Sequence, residues 1–340
     1  MKTVTTTVHA TVEDLLDDMA HGRPWRIEPM DKHVDSLSGS PFERAYVGDE
    51  PYVIKHIARD LDWIMRIIGD GADGTRPRAL IMWQEGLLAE LPADIDDVMV
   101  GMAFDPATGH LTQVMRDARA AMIPASADPV SLAQHRNLLD HMAALHATFW
   151  GFRDTYGLTT PEQRYGFAHP DHTVREQAAG HTDMIPGMFP DGWRAVRELA
   201  PEAADLGLAL AADPTPLAGA MREGPQTLVH GDWKFGNLGS WPDGRTVLLD
   251  WAWPGEAGPC VDLAWYLAVN CDRLPESKED SIEAYRASLQ RRGIDTAPWW
   301  ERQLDLALLG GFLQLGWSKP GNPAELDWWT QRAVPIARAI

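Results

Sequence analysis

Residues 227–266 read TLVHGDWKFGNLGSWPDGRTVLLDWAWPGEAGPCVDLAWY, and the rest of the chain is understood from them. An apolar run, Leu228-Val229, leads into His230-Gly231-Asp232, and Asn237 follows five residues after Asp232. The turn Pro242-Asp243-Gly244 then returns the chain into Thr246-Val247-Leu248-Leu249, which delivers Asp250. Pro and Gly at such a turn punctuate two strands. The pattern therefore predicts a strand ending in one carboxylate and a hairpin returning a second, with an amide between them.

Two acids and an amide at one edge suit Mg²⁺-assisted phosphoryl transfer. Hard oxygen donors fit Mg²⁺, which takes one or two carboxylates and completes its shell with phosphate oxygens and water. Asp232 is placed to accept the proton of an attacking hydroxyl, and Asn237 and Asp250 to hold the metal. A hydrolase metal of softer character would want several His or Cys ligands, and beside its acids this stretch holds only His230 and Cys260.

HGDWKFGN, then LLDW, then GPCVDLAWYL resembles the catalytic core of the aminoglycoside phosphotransferase and choline kinase-like superfamily, distant relatives of the protein kinases. The resemblance implies an α+β, two-lobed kinase-like fold, with a small N-terminal sheet lobe and a larger, mainly helical C-terminal lobe. It implies Asp232 as base, Asn237 and Asp250 as metal ligands, and Lys234 as the lysine that steadies the transferred phosphoryl group. Asp262, in Gly258-Pro259-x-x-Asp262-Leu263-Ala264, matches the acid that anchors the catalytic loop from below. His230 is assigned to holding that loop. The implied cofactors are ATP and Mg²⁺, and the implied partner is a small hydroxylated acceptor such as a sugar, amino sugar or aminoglycoside. Trp251 to Asp262 is too short to cradle a peptide, which argues against a protein kinase.

Upstream, Thr11 reads as the N-cap of an amphipathic helix over 9–20. Residues 25–34 and the stretch after Ser36 read as the first two strands, and Pro51–Ile57 as a third carrying Lys55. A lysine there is expected to pair with the α- and β-phosphates. Gly39 and Ser40 lie where a phosphate-covering loop would sit, although one glycine is not a glycine-rich motif. The helix read over Arg59–Asp70 contains no Glu to pair with Lys55, so Asp62 is the expected acidic partner.

A helix over 80–91 and strands over 98–104 and 110–115 follow, with residues 115–124 expected as the adenine hinge and a lobe boundary near residue 118, dividing the chain into 1–118 and 119–340. The stretch 129–150 is the clearest helix. Its His135, His141 and His146 are spaced by six and five, off any one helical face, and are read as structural. Residues 151–226 carry weak helices over 191–200 and 203–212 and are read as the acceptor-shaping insertion. Helices over 281–292 and 299–317 and a packed tail complete the chain.

The 340 residues carry 49 acids against 30 Lys and Arg, a net charge of −19. That balance disfavours nucleic acid and anionic membrane as partners, since phosphate-rich surfaces need clustered cations. Two cysteines, Cys260 and Cys271, do not make a disulfide framework. The first twenty residues lack the apolar core of a signal peptide, and no stretch is long enough to span a bilayer, so a soluble, cytoplasmic protein is expected. The alternative function is a catalytically silent, nucleotide-binding regulator.

Overall fold

The computed structural model describes residues 6–30 and 37–340. In chain order the strands are β1 (Val8–His9), β2 (Trp25–Pro29), β3 (Phe42–Val47), β4 (Glu50–Ile57), β5 (Ile95–Asp96), β6 (Met99–Asp105), β7 (His110–Arg116), β8 (Thr227–Val229), β9 (Leu238–Ser240), β10 (Thr246–Leu248) and β11 (Gly255–Ala257). The α-helices are α1 (Val12–Ala20), α2 (Trp63–Ile68), α3 (Arg78–Gln84), α4 (Leu132–Thr148), α5 (Pro161–Gly166), α6 (Pro170–Ala178), α7 (Met184–Leu199), α8 (Pro201–Ala212), α9 (Thr215–Arg222), α10 (Cys260–Val269), α11 (Lys278–Arg291), α12 (Trp300–Leu315) and α13 (Pro323–Ala337). This is the expected α+β class, with strands concentrated early and helices late.

The chain divides into two compact units, residues 1–125 with 236–252, and residues 126–235 with 253–340. The first is built on a six-stranded sheet of order β1-β6-β7-β4-β3-β2, antiparallel except where β1 joins β6. Thr11 caps α1 as expected, accepting from the Asp14 N–H. The apolar stripe of α1, Leu15 and Leu16, packs with Ala45, Val47, Ile54 and Val114 into a core on the sheet. Gly101 makes that approach possible, because a Cβ there would run into the Leu15 side chain. The strand read over 25–34 is β2; its residues 31–34 lie outside the described residues.

A second, smaller sheet of order β5-β10-β9 belongs to the same unit. Residues expected at the hinge join it: Met122 bridges Gly239, the Ile123 N–H donates to the Leu238 carbonyl and the Ser240 N–H to the Ala121 carbonyl. Those backbone groups are therefore engaged by β9.

The second unit is mainly helical, with β8 and β11 paired antiparallel. Ser131 caps α4, whose Leu138, Leu139, Met142 and Leu145 are buried. Nearly every residue of α12 is buried, including Leu308, Leu309, Phe312 and Leu313. Burying one such side chain fully contributes about 1.5–3 kcal/mol. No described helix is long and apolar enough to cross a membrane.

Candidate active site

In the helical unit, β8 ends at Val229 and the chain turns through His230, Gly231 and Asp232. Gly231 has φ of 82°, a left-handed value that glycine adopts without steric penalty. A Cβ there would also collide with the Trp253 carbonyl and the Arg164 guanidinium. The turn is held from α10. Asp262, completely buried, accepts the His230 N–H at 2.8 Å and the Gly231 N–H at 2.7 Å. His146 Nε2 reaches the same carboxylate at 3.1 Å, and His146 Nδ1 faces the Tyr285 hydroxyl at 2.6 Å.

Burial alone would push the Asp262 carboxyl up. The hydrogen bond and charge of His146, with the charges of His230 and Arg164, outweigh it and hold the group below its ordinary range. Further along the loop, Asn270 Oδ1 accepts the Phe235 N–H at 2.9 Å and its amide donates to the Trp233 carbonyl at 3.4 Å. Side chains thus fix backbone groups at both ends of residues 230–235.

Asp232 itself is 3% exposed. Its Oδ1 accepts from the Trp265 indole N–H at 3.0 Å, and its Oδ2 lies 2.9 Å from Lys234 Nζ. Its own N–H donates to His230 Nδ1 at 3.2 Å, and the His230 ring stands edge-on to Trp233. Asp232, Lys234 and His230 are therefore gathered in one place within this unit.

In the sheet unit the hairpin β9–β10 does comparable work. Leu238 pairs with Leu248, and just beyond that pair the Leu249 N–H donates to the Asn237 carbonyl at 2.9 Å. Asn237 and Asp250 consequently sit at the same open end. Asp250 has φ of 66°, sparsely populated for a non-glycine residue and of the kind that gathers at functional sites. Lys55, in register with Phe42 and Gln113 on β4, is 5% exposed and extends Nζ to within 2.7 Å of Asp250 Oδ1. The two residues are 195 positions apart in the chain.

Asp62 is not the direct partner of Lys55. It is the N-cap of α2, accepting from the Ile64 N–H at 2.8 Å and the Met65 N–H at 3.4 Å. Ser40 Oγ donates to its other oxygen at 2.9 Å. Burial pushes the Asp62 carboxyl up, with the Lys55 charge and the Ser40 bond opposing. Asp62 and Lys55 nevertheless line one small cavity, together with Ile57, Asp70, Leu111 and Asp250. Ser40 is turned inward and buried; Gly39 is exposed, with φ of 96°. The helix read over 59–70 is only Trp63–Ile68, because Asp62 caps one end and Gly69, left-handed, closes the other.

Trp265 and Asn270 were not anticipated from the sequence. Trp265 lies three residues after Asp262, a spacing that puts both on one helix face, and that spacing was the available signal.

No family model and no curated protein matches the chain. Solved structures do. A crystal structure of LicA in complex with AMP aligns with a TM-score of 0.53 at 13% identity, over 96% of this chain and 98% of that one. The choline kinase LicA from Streptococcus pneumoniae aligns at 0.51 and 13%, over 97% and 99%. The chain has the choline kinase fold. A microcompartment-associated aminopropanol kinase shares it, with a TM-score of 0.50 at 12% identity, over 96% of this chain and 97% of that one. At these identities the likeness fixes the choline kinase fold, and the chemistry rests on this chain's own residues.

Proposed function

We propose that the protein is an ATP- and Mg²⁺-dependent small-molecule kinase, working in the cytoplasm, that transfers the γ-phosphoryl group to a hydroxyl of a sugar, amino sugar, aminoglycoside or similar metabolite. Asp232 orients the acceptor hydroxyl and takes its proton as the new O–P bond forms and the bond to ADP breaks. Lys234 offsets charge on the moving phosphoryl group, and His230 holds the loop. Lys55 pairs with the α- and β-phosphates, and the turn at Gly39 and Ser40 lies over them. Asn237 and Asp250 would hold Mg²⁺, which when bound would offset phosphate charge. Their donor set of amide and carboxylate oxygens suits that ion. Positioning and charge neutralisation supply most of the rate.

The observation that carries this reading is the Lys55–Asp250 pair at 2.7 Å at the hairpin end where Asn237 also stands. It joins a phosphate-binding cation to the two metal donors. The choline kinase and aminopropanol kinase of the same fold support a small, hydroxylated acceptor. The test is calorimetric titration with ATP, with and without Mg²⁺, on the wild type and Asp250→Ala. Binding strengthened by Mg²⁺ and losing that enhancement in the variant is expected. Equal ATP binding without Mg²⁺ would contradict the metal assignment.

One observation favours the alternative of a silent, nucleotide-binding regulator: Asp62 is engaged as a helix cap and by Ser40, and among the described residues the ion-pair partner of Lys55 is Asp250, which no helix carries. Measurable ADP release with any hydroxylated acceptor removes that alternative.

A further inference from the structure

We infer that Trp265 is a positioning residue that clamps Asp232 through Oδ1 while Lys234 releases Oδ2 to the acceptor hydroxyl. This rests on the kinase reading of Asp232 given above. Trp265 and Lys234, both donors to that carboxylate, differ in kind. Trp265 donates its indole N–H at 3.0 Å from α10, the helix whose Asp262 already binds the His230 and Gly231 N–H groups. Its ring packs against Phe167, with centroids 6.4 Å apart, and Phe167 in turn packs against Trp253 at 5.1 Å. An indole N–H is a donor with no acceptor function, and this half-buried ring moves only by giving up its packing on Phe167.

Lys234 is the opposite. Its ammonium rides on a flexible four-carbon stem, with a quarter of its side chain exposed, and reaches Oδ2 at 2.9 Å. Proton transfer needs Oδ2 facing the acceptor, and Lys234 is the donor able to leave for the phosphoryl group. The acceptor hydroxyl then takes the ammonium's place on Oδ2. It passes its proton there as its oxygen bonds phosphorus and the ADP oxygen departs. Throughout, Oδ1 stays on the indole, so the carboxylate does not rotate. One face of α10 therefore sets the loop twice: Asp262 on its backbone and Trp265, three residues on, on its reacting carboxylate.

The test replaces Trp265 with 3-benzothienylalanine, in which sulfur stands where the N–H was and the shape is kept, and compares Trp265→Phe. ADP release with ATP·Mg²⁺ is measured on the acceptor that the wild type turns over best, together with thermal melting. The expected result is a kcat lowered about ten- to hundredfold in both variants, with KM for ATP and the melting temperature unchanged. A benzothienylalanine enzyme with wild-type kcat would overturn the role of Trp265 and leave the kinase reading standing. A wild type that releases no ADP with any acceptor would bring down the kinase reading, and this inference with it.

Discussion

The loop at 230–235 and the Lys55–Asp250 pair both carry charged side chains, yet they are held in different ways. Around the loop, Asp262, His146, Asn270 and Trp265 engage backbone and side chain from helices of the same unit, and Asp262 and His146 are fully buried. Lys55 pairs with Asp250, whose side chain is 23% exposed on a backbone in an uncommon conformation. The acid expected beside it, Asp62, is occupied at the start of a six-residue helix. On the proposed kinase reading, the group that meets the hydroxyl is over-determined by its fold, and the group that exchanges a protein partner for a phosphate has a replaceable one.

The contrast is open to measurement. Asp262→Ala should be the most damaging change, since it strands buried N–H groups and the His146 donor together. A loss of about 3–5 kcal/mol is expected by denaturant unfolding; a loss below about 1 kcal/mol would show that the loop is not held from α10. Lys55→Met should destabilise less, by about 1–3 kcal/mol, because water can reach Asp250, while weakening ATP binding clearly. If it unfolds the protein as readily as Asp262→Ala does, the two regions are not held differently. Asp62→Ala removes a helix cap and should cost about 1 kcal/mol, whereas Asp62→Asn keeps the cap acceptor and should cost less. A large drop in ATP affinity with Asp62→Asn would instead restore Asp62 as the functional partner of Lys55.

The smallest effect concerns pH and the strand-edge carboxyl Asp97, which accepts the Met99 N–H at 3.1 Å. Burial pushes its pKa up from 3.8 to about 6, with Asp96 adding and the Met99 bond and Arg116 opposing. A raised carboxyl binds its proton more tightly in the folded state. Its contribution to stability is thus present below about pH 4 and is lost as pH rises through about 6. Asp97→Asn, which does not titrate, should gain on the wild type across that window in melting temperature and run parallel to it above pH 7. Parallel curves throughout would mean that Asp97 keeps an ordinary pKa.

Much of this was legible because the decisive residues are close in sequence and their spacing is set by strand and turn geometry. His230, Asp232, Asn237 and Asp250 lie on either side of a hairpin whose register is fixed by Leu238 opposite Leu248, and Pro242-Asp243-Gly244 announces its turn. Asp262 was legible as the anchor of the loop through the family resemblance. Where partners are distant the reading weakened. An Asp before an apolar run is equally an N-cap and an ion-pair partner, and spacing cannot decide which role Asp62 plays. Trp265 sits among apolar neighbours in the sequence, and only tertiary structure shows its N–H meeting Asp232. In the insertion, a helix read from residue 191 begins at Met184 and contains Pro190, since proline usually marks an end and here lies inside the helix. Division at a single point near 118 likewise misses that residues 236–252 belong with the first unit.

On the proposed reading, Asp232 is the base of a small-molecule kinase. The measurement that meets it most directly is ADP release from ATP·Mg²⁺ across aminoglycosides, amino sugars, sugars and amino alcohols, with Asp232→Asn beside the wild type. The account predicts turnover with one acceptor class and a fall of about 10²–10⁴-fold in the variant, with ATP binding retained. Turnover undiminished in Asp232→Asn, or ATP bound with no acceptor phosphorylated by either protein, would contradict it.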